Sequence, residues 1–216
     1  MEKFVIQGGK PLKGEIDVRG AKNAAFPVLA ATILTKEPCV ISNLPLIEDV
    51  YRTIELLESM EADIEWLGKR KIRVSTKNLK PEKADKDLVC SFRGSILFVG
   101  PLLARYGKIQ FPEPGGCLIG ARPITTHLDA FSQMGVTVTK KGKNMLDLKL
   151  VKSPKEVTVV QNEFSVTGTE NVLLFAAGVA GDITLKIADE DYQIQELVSV
   201  LKKMGATITS QEPHSF

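Results

Sequence analysis

Met60-Glu61-Ala62-Asp63-Ile64, Met134-Gly135-Val136-Thr137-Val138 and Met204-Gly205-Ala206-Thr207-Ile208 decide how this chain reads. Each ends a helix-like run on methionine and starts a strand-like run, and the three stand 74 and 70 residues apart. Self-similarity at a fixed period marks a repeated structural unit. The unit starts agree: Gly20-Ala21-Lys22-Asn23, Gly94-Ser95 and Gly168-Thr169-Glu170-Asn171 place their glycines 74 residues apart both times. Gly20 and Gly168 are each followed by Asn three residues on.

Working outward, each unit repeats one pattern. An apolar helix comes first, at Ala24 to Leu34, Ile96 to Ala104 and Val172 to Ala180. A strand follows, at Cys39 to Ile41, Lys108 to Phe111 and Asp182 to Ile187. An amphipathic helix is next: Ile47, Val50, Ile54 and Leu57 share a face, as do Ile124, Leu128 and Phe131, and Ile194, Leu197 and Leu201. Alternating strands then close the unit around basic, glycine-containing turns at 68–71 and 141–144. The expectation is an α/β fold of three βαβαββ units, about residues 20–92, 93–166 and 167–216. One such unit is too small to bury its own apolar helix. Three packed together bury those helices all round and leave the sheets outside. Two ends stand apart. Phe4, Val5, Ile6 and Glu15-Ile16-Asp17-Val18 read as strands preceding the repeat, and the third unit breaks off before a second hairpin strand, as in a fragment.

The chain has 216 residues, 44% apolar and 25% charged, with a net charge of +2. That balance is globular and gives no basic stripe for nucleic acid. No apolar run is long enough to span a membrane, and the start lacks a signal-peptide core. Three cysteines without a CxxC pair fit a reducing cytoplasm, and two histidines in the whole chain argue against a His-based metal site.

Several residues carry chemistry. Lys22 and Asn23 stand where a helix begins, a natural anion site, although an Asn cap beside a solvated Lys fits the same pattern. Arg93 opens the second unit at the equivalent place. Cys117 lies in Pro114-Gly115-Gly116-Cys117-Leu118-Ile119-Gly120-Ala121-Arg122-Pro123, a glycine loop running into a helix start. A thiol near its ordinary pKa of about 8.5 is a proton donor at neutral pH, and a nucleophile if a cation such as Arg122 lowers it. Cys39 and Cys90 read as inert buried thiols. His127 reads as structural, His214 as idle, and Asp189-Glu190-Asp191 as a solvated turn.

The segments Gly20 to Ala25, Arg93 to Ile96, Gly100 to Arg105, Ser165 to Asn171 and above all Pro114 to Pro123 resemble the UDP-N-acetylglucosamine enolpyruvyl transferases, which start peptidoglycan synthesis. The resemblance covers essentially the whole chain. It implies an inside-out α/β fold in two domains, residues 1–20 belonging to a second, homologous half. It implies transfer of the enolpyruvyl group of phosphoenolpyruvate to the 3′-hydroxyl of UDP-N-acetylglucosamine in the cytoplasm, without metal or organic cofactor. Cys117 matches the general acid that forms a phosphoenolpyruvate adduct and is alkylated by fosfomycin. Lys22, Asn23 and Arg122 match phosphoenolpyruvate contacts. Arg93, Arg122, Pro123, Ile124, Thr125, Thr126, Ser165 and Val166 match nucleotide-sugar contacts. Members usually carry an acidic residue where Thr125 stands, and some a Lys in the stretch occupied by Asn162-Glu163-Phe164. An enolpyruvyl transferase with another acceptor, and a non-catalytic nucleotide-sugar-binding half, remain as alternatives.

Overall fold

The methionine motifs are helix endings of one kind. A computed structural model describes residues 3–115, 123–142, 144–210 and 212–216. In it Met60, Met134 and Met204 cap helices α2 (Glu48–Ser59), α5 (Thr125–Gln133) and α7 (Tyr192–Lys203). The next residue adopts positive φ each time: Glu61 at 65°, Gly135 at 84° and Gly205 at 104°. In the first and third units the reversal closes with paired backbone bonds, Ala62 N to Leu57 O and Glu61 N to Glu58 O, then Ala206 N to Leu201 O and Gly205 N to Lys202 O. That is the Schellman motif, which favours glycine because a Cβ is crowded there. It turns the chain sharply out of the helix, and in the first unit directly into a strand.

The apolar helices form the centre. They are α1 (Lys22–Ala31), α4 (Val99–Tyr106), which continues a 3-10 segment at Arg93–Phe98, and α6 (Val166–Ala176). Leu29, Phe98, Leu102, Leu174 and Phe175 are fully buried among them. Two three-stranded antiparallel sheets lie outside. One orders β1 (Cys39–Ile41), β3 (Lys71–Ser75) and β2 (Asp63–Gly68) with β3 central. The other orders β4 (Lys108–Pro112), β6 (Met145–Leu150) and β5 (Val136–Lys141) with β6 central. In each, alternate residues such as Ile72 and Val74, or Leu146 and Leu148, face inward. Helices inside and sheets outside is the expected architecture.

Some expected strands do not form. Residues 3–19 are in no strand, and Phe4, Ile6, Leu12 and Ile16 are almost fully exposed. An extended segment becomes a strand only beside a partner edge, and no described strand pairs with it. The second unit is preceded by a short helix, α3 (Lys86–Ser91), capped by Asp85 Oδ1 on Leu88 N, rather than by a strand. Among the described residues only the third unit is preceded by a strand, β7 (Glu156–Val160), parallel to β8 (Asp182–Lys186). Residues 206–210 form no strand either. Where units one and two place their central strand, β8 instead exchanges Leu185 N to Phe216 O and Phe216 N to Leu185 O bonds with the last residues.

Pro27 is the sixth residue of α1, which starts at Lys22, two residues earlier than the apolar run indicates. Lacking an N–H, it removes the helical bond to the Asn23 carbonyl.

Candidate functional site

Six first turns meet at one cleft. Its volume is about 910 Å³. Lys22 and Asn23 come from α1, Asp49 from α2, Arg93 and Gly94 from the 3-10 segment leading to α4, Thr126 and His127 from α5, Ser165 to Thr167 from α6, and Gln193 from α7. The repeat therefore directs equivalent helix starts to one place. Each helix N-terminus presents unpaired N–H groups and about half a positive charge, so the cleft favours an anion before any side chain is counted.

The side chains add to that bias. Lys22 Nζ pairs with Asp49 Oδ2 at 3.0 Å and lies 5.9 Å from the Phe26 ring centroid. Arg93 Nη2 donates to the Pro123 carbonyl at 2.9 Å. Pro123 and Gly115 are the described residues that flank the cysteine loop. Gly115 packs against the Cys90 backbone too closely for any side chain. Both ends of the loop are thus anchored to the segment from Cys90 to Arg93, at the rim of the cleft.

Below the rim lies a buried polar network. Asn171 Nδ2 donates to the Ile96 carbonyl at 3.0 Å and to His127 Nδ1 at 2.9 Å, while its Oδ1 accepts from Gly100 N at 2.9 Å. With Nδ1 accepting, the His127 proton sits on Nε2 and is donated to Thr167 Oγ1 at 3.2 Å. Burial, helped by the Arg93 charge, pushes the His127 pKa down to about 3, so the ring is neutral. A Cβ on Gly100 would stand 2.6 Å from the Asn171 carbonyl oxygen, which explains the glycine. Glu170 is 2% exposed, and its Oε1 is buried without a hydrogen-bond partner among the described residues. Burial and the Asp189 charge push its pKa up to about 8.

The family model for EPSP synthase (3-phosphoshikimate 1-carboxyvinyltransferase) matches residues 6–216. The chain belongs to the EPSP synthase family. It is 41% identical over 212 residues to UDP-N-acetylglucosamine 1-carboxyvinyltransferases of Shewanella sp. (strain ANA-3) and Shewanella frigidimarina, covering 97% of this chain and 50% of each relative. The chain thus spans about half the length of the curated relatives it matches. The fold superposes on the enolpyruvyl transferase NikO from Streptomyces tendae with a TM-score of 0.80 at 21% identity, over 96% of this chain and 48% of that one. An EPSP synthase from Acinetobacter baumannii gives 0.74 at 16% identity, over 96% and 47%. At such identities these likenesses establish the enolpyruvyl-transferase fold.

Of the residues singled out by sequence, Lys22, Asn23, Arg93, Pro123, Thr126, Ser165 and Val166 all line the cleft of this family member. Ile124 is buried in the core, and Thr125 is exposed at the start of α5; neither lines the cleft wall. Cys117 and Arg122 lie outside the described residues. Cys90 is exposed rather than buried, and partial desolvation, with Asp87 adding, raises its thiol pKa, which disfavours the thiolate. Arg105 ties α4 to the first unit through the Ile33 and Thr76 carbonyls. Sequence reasoning passed over Glu170, Asn171 and Gln193 as site residues. The usable signal was a Glu-Asn pair inside an otherwise apolar helix.

Proposed function

We propose that this chain forms one wall of an enolpyruvyl-transferase site that takes phosphoenolpyruvate and UDP-N-acetylglucosamine, in the cytoplasmic stage of peptidoglycan synthesis. The observation that carries the reading is the convergence of six helix starts, Lys22 and Arg93 on a single cleft of nucleotide-sugar size. Both substrates are polyanions. The 41% identity to UDP-N-acetylglucosamine 1-carboxyvinyltransferases supports this acceptor over that of other family members.

In this reading Lys22, Asn23 and Arg122 hold phosphoenolpyruvate. Arg93 and Pro123 to Thr126, with Ser165 and Val166, hold the nucleotide sugar. Cys117 gives its proton to C3 of phosphoenolpyruvate while the sugar 3′-hydroxyl adds to C2 and loses its own proton to a base. Loss of a C3 proton then expels inorganic phosphate and leaves the enolpyruvyl ether. The cations and helix ends stabilise the phosphate and carboxylate as the tetrahedral ketal forms. Closure of the cysteine loop excludes water.

The chain spans half of its relatives, and the opposite wall, with the base, is assigned to a second homologous half to which residues 1–20 belong. The chain alone is therefore expected to bind substrate and turn over little. Fosfomycin with UDP-N-acetylglucosamine should add mass at Cys117, and calorimetry should show nucleotide-sugar binding by the wild type. Absence of both results would sink the assignment. Full phosphate release from the 216-residue chain would overturn the half-site reading.

A further inference from the structure

Glu170 lines the cleft but has no part in the proposed reaction. It sits on the second turn of α6, 2% exposed, and contributes to the cleft wall. Its Oε1 is buried with no hydrogen-bond partner among the described residues. Buried polar atoms are overwhelmingly paired, and an unpaired one in a native fold calls for an explanation. A carboxylate there would oppose an anionic ligand, whereas a protonated carboxyl offers it an O–H donor.

We propose that Glu170 is a ligand-binding residue that donates its carboxyl proton in a hydrogen bond to an anionic oxygen of the phosphorylated ligand in the cleft. The inference rests on the reading of the cleft given above. A donor of this kind forms a short, strong bond to an anion and loses it on ionisation. The surroundings keep the acid protonated near neutral pH through burial, with Asp189 between β8 and α7 adding repulsion. The other ionisable groups of the cleft are Lys22 on α1, paired with Asp49 on α2, Arg93 on the 3-10 segment, His127 on α5, and Glu163 ahead of α6. From α7 only uncharged Gln193 enters the cleft. Arg105 of α4 is bound to unit-one carbonyls.

The test is calorimetry on the 216-residue chain, wild type against E170Q and E170V, at pH 6.5 and 9. The probes are inorganic phosphate, phosphoenolpyruvate and UDP-N-acetylglucosamine. Titration of the ligands and of other protein groups affects wild type and E170Q alike, so the difference between them isolates Glu170. The expected result is a loss of about tenfold in wild-type affinity at pH 9 beyond any change in E170Q, and about tenfold weaker binding by E170V at pH 6.5. The probe showing that loss identifies the oxygen: phosphoenolpyruvate for its own phosphate or carboxylate, UDP-N-acetylglucosamine for the diphosphate. If both variants bind every probe like wild type at both pH values, the role of Glu170 is overturned while the ligand class stands. If wild type binds none of the three, the reading of the cleft falls and the proposal with it. Should E170V fail to fold, E170Q alone decides.

Discussion

The starts of α1 and α6 occupy equivalent places in the repeat and have become different things. Counted from Gly20 and Gly168, Lys22 corresponds to Glu170 and Asn23 to Asn171. Yet α1 begins two residues after its glycine and α6 two residues before. Four residues make about one helical turn, so the residue at the same count lies one turn deeper in the third unit. Lys22 and Asn23 are exposed at the mouth; Glu170 and Asn171 are buried at the floor. The lesson is that a duplicated motif fixes direction, while the point where the helix starts fixes depth. Depth decides whether a polar side chain stays solvated at the mouth or is desolvated at the floor.

The comparison breaks most visibly at the asparagines. N171L removes the partner of Gly100 N, the Ile96 carbonyl and His127 Nδ1 together. It should cost about 3 kcal/mol of stability in urea denaturation, against less than about 0.5 kcal/mol for N23A. Equal costs would remove the distinction between mouth and floor.

The next effect is in the pH dependence of stability. His127 is neutral in the fold, with its pKa held at about 3, but charges in the unfolded chain below its ordinary 6.5. Its contribution is complete above pH 6.5 and drains away as pH falls toward 3. Glu170, raised from 4.5 to about 8, is the reverse: its contribution is complete below pH 4.5 and lost as pH rises through 8. The two slopes oppose between 4.5 and 6.5, so stability should be level there and decline on either side by up to about 1 kcal/mol per pH unit. Melting curves across pH should show E170Q without the alkaline decline. An alkaline slope that survives in E170Q would contradict the floor assignment.

At the mouth, K22M should leave stability within about 0.5 kcal/mol, because its pair with Asp49 is exposed. It should weaken phosphoenolpyruvate binding about tenfold, one charge-assisted bond. The smallest effect lies in the caps. Ser165 Oγ accepts from Gly168 N at 3.2 Å, whereas Ala21 gives α1 no side-chain cap. S165A should lose about 1 kcal/mol and A21S should gain up to about 1 kcal/mol by thermal denaturation.

Much of this was legible before any coordinates. The methionine motifs gave the helix ends, since a reversal through positive φ leaves glycine at 135 and 205, and the apolar runs gave the buried helices. The strands of units one and two followed from alternation, because both edges of each hairpin lie close in sequence. The strands expected at 4–18 and 206–208 failed for the same reason in reverse: alternation marks a face, but pairing depends on a partner. Lys22, Asn23 and Arg93 were readable because helix starts advertise themselves through glycine and polar residues. Glu170 and Asn171 were missed, because the matching glycine counts hide that α6 starts a turn early, at the Ser165 cap. Only packing shows which polar side chains in an apolar helix find partners.

Convergence of the helix starts has a further consequence. All six run away from the cleft, so their carbonyl ends lie away from it, with Arg105 in the last turn of α4 and Lys202 and Lys203 in the last turn of α7. With a net charge of only +2, the chain owes its attraction for anions to the helix starts and cations of the cleft more than to its overall charge. Approaching phosphates are drawn to one side of the molecule rather than to its whole surface. Capture by diffusion should then slow as ionic strength rises and the field is screened within about 10 Å at 0.1 M salt. Stopped-flow association rates that ignore salt would show that the helix ends act only at contact.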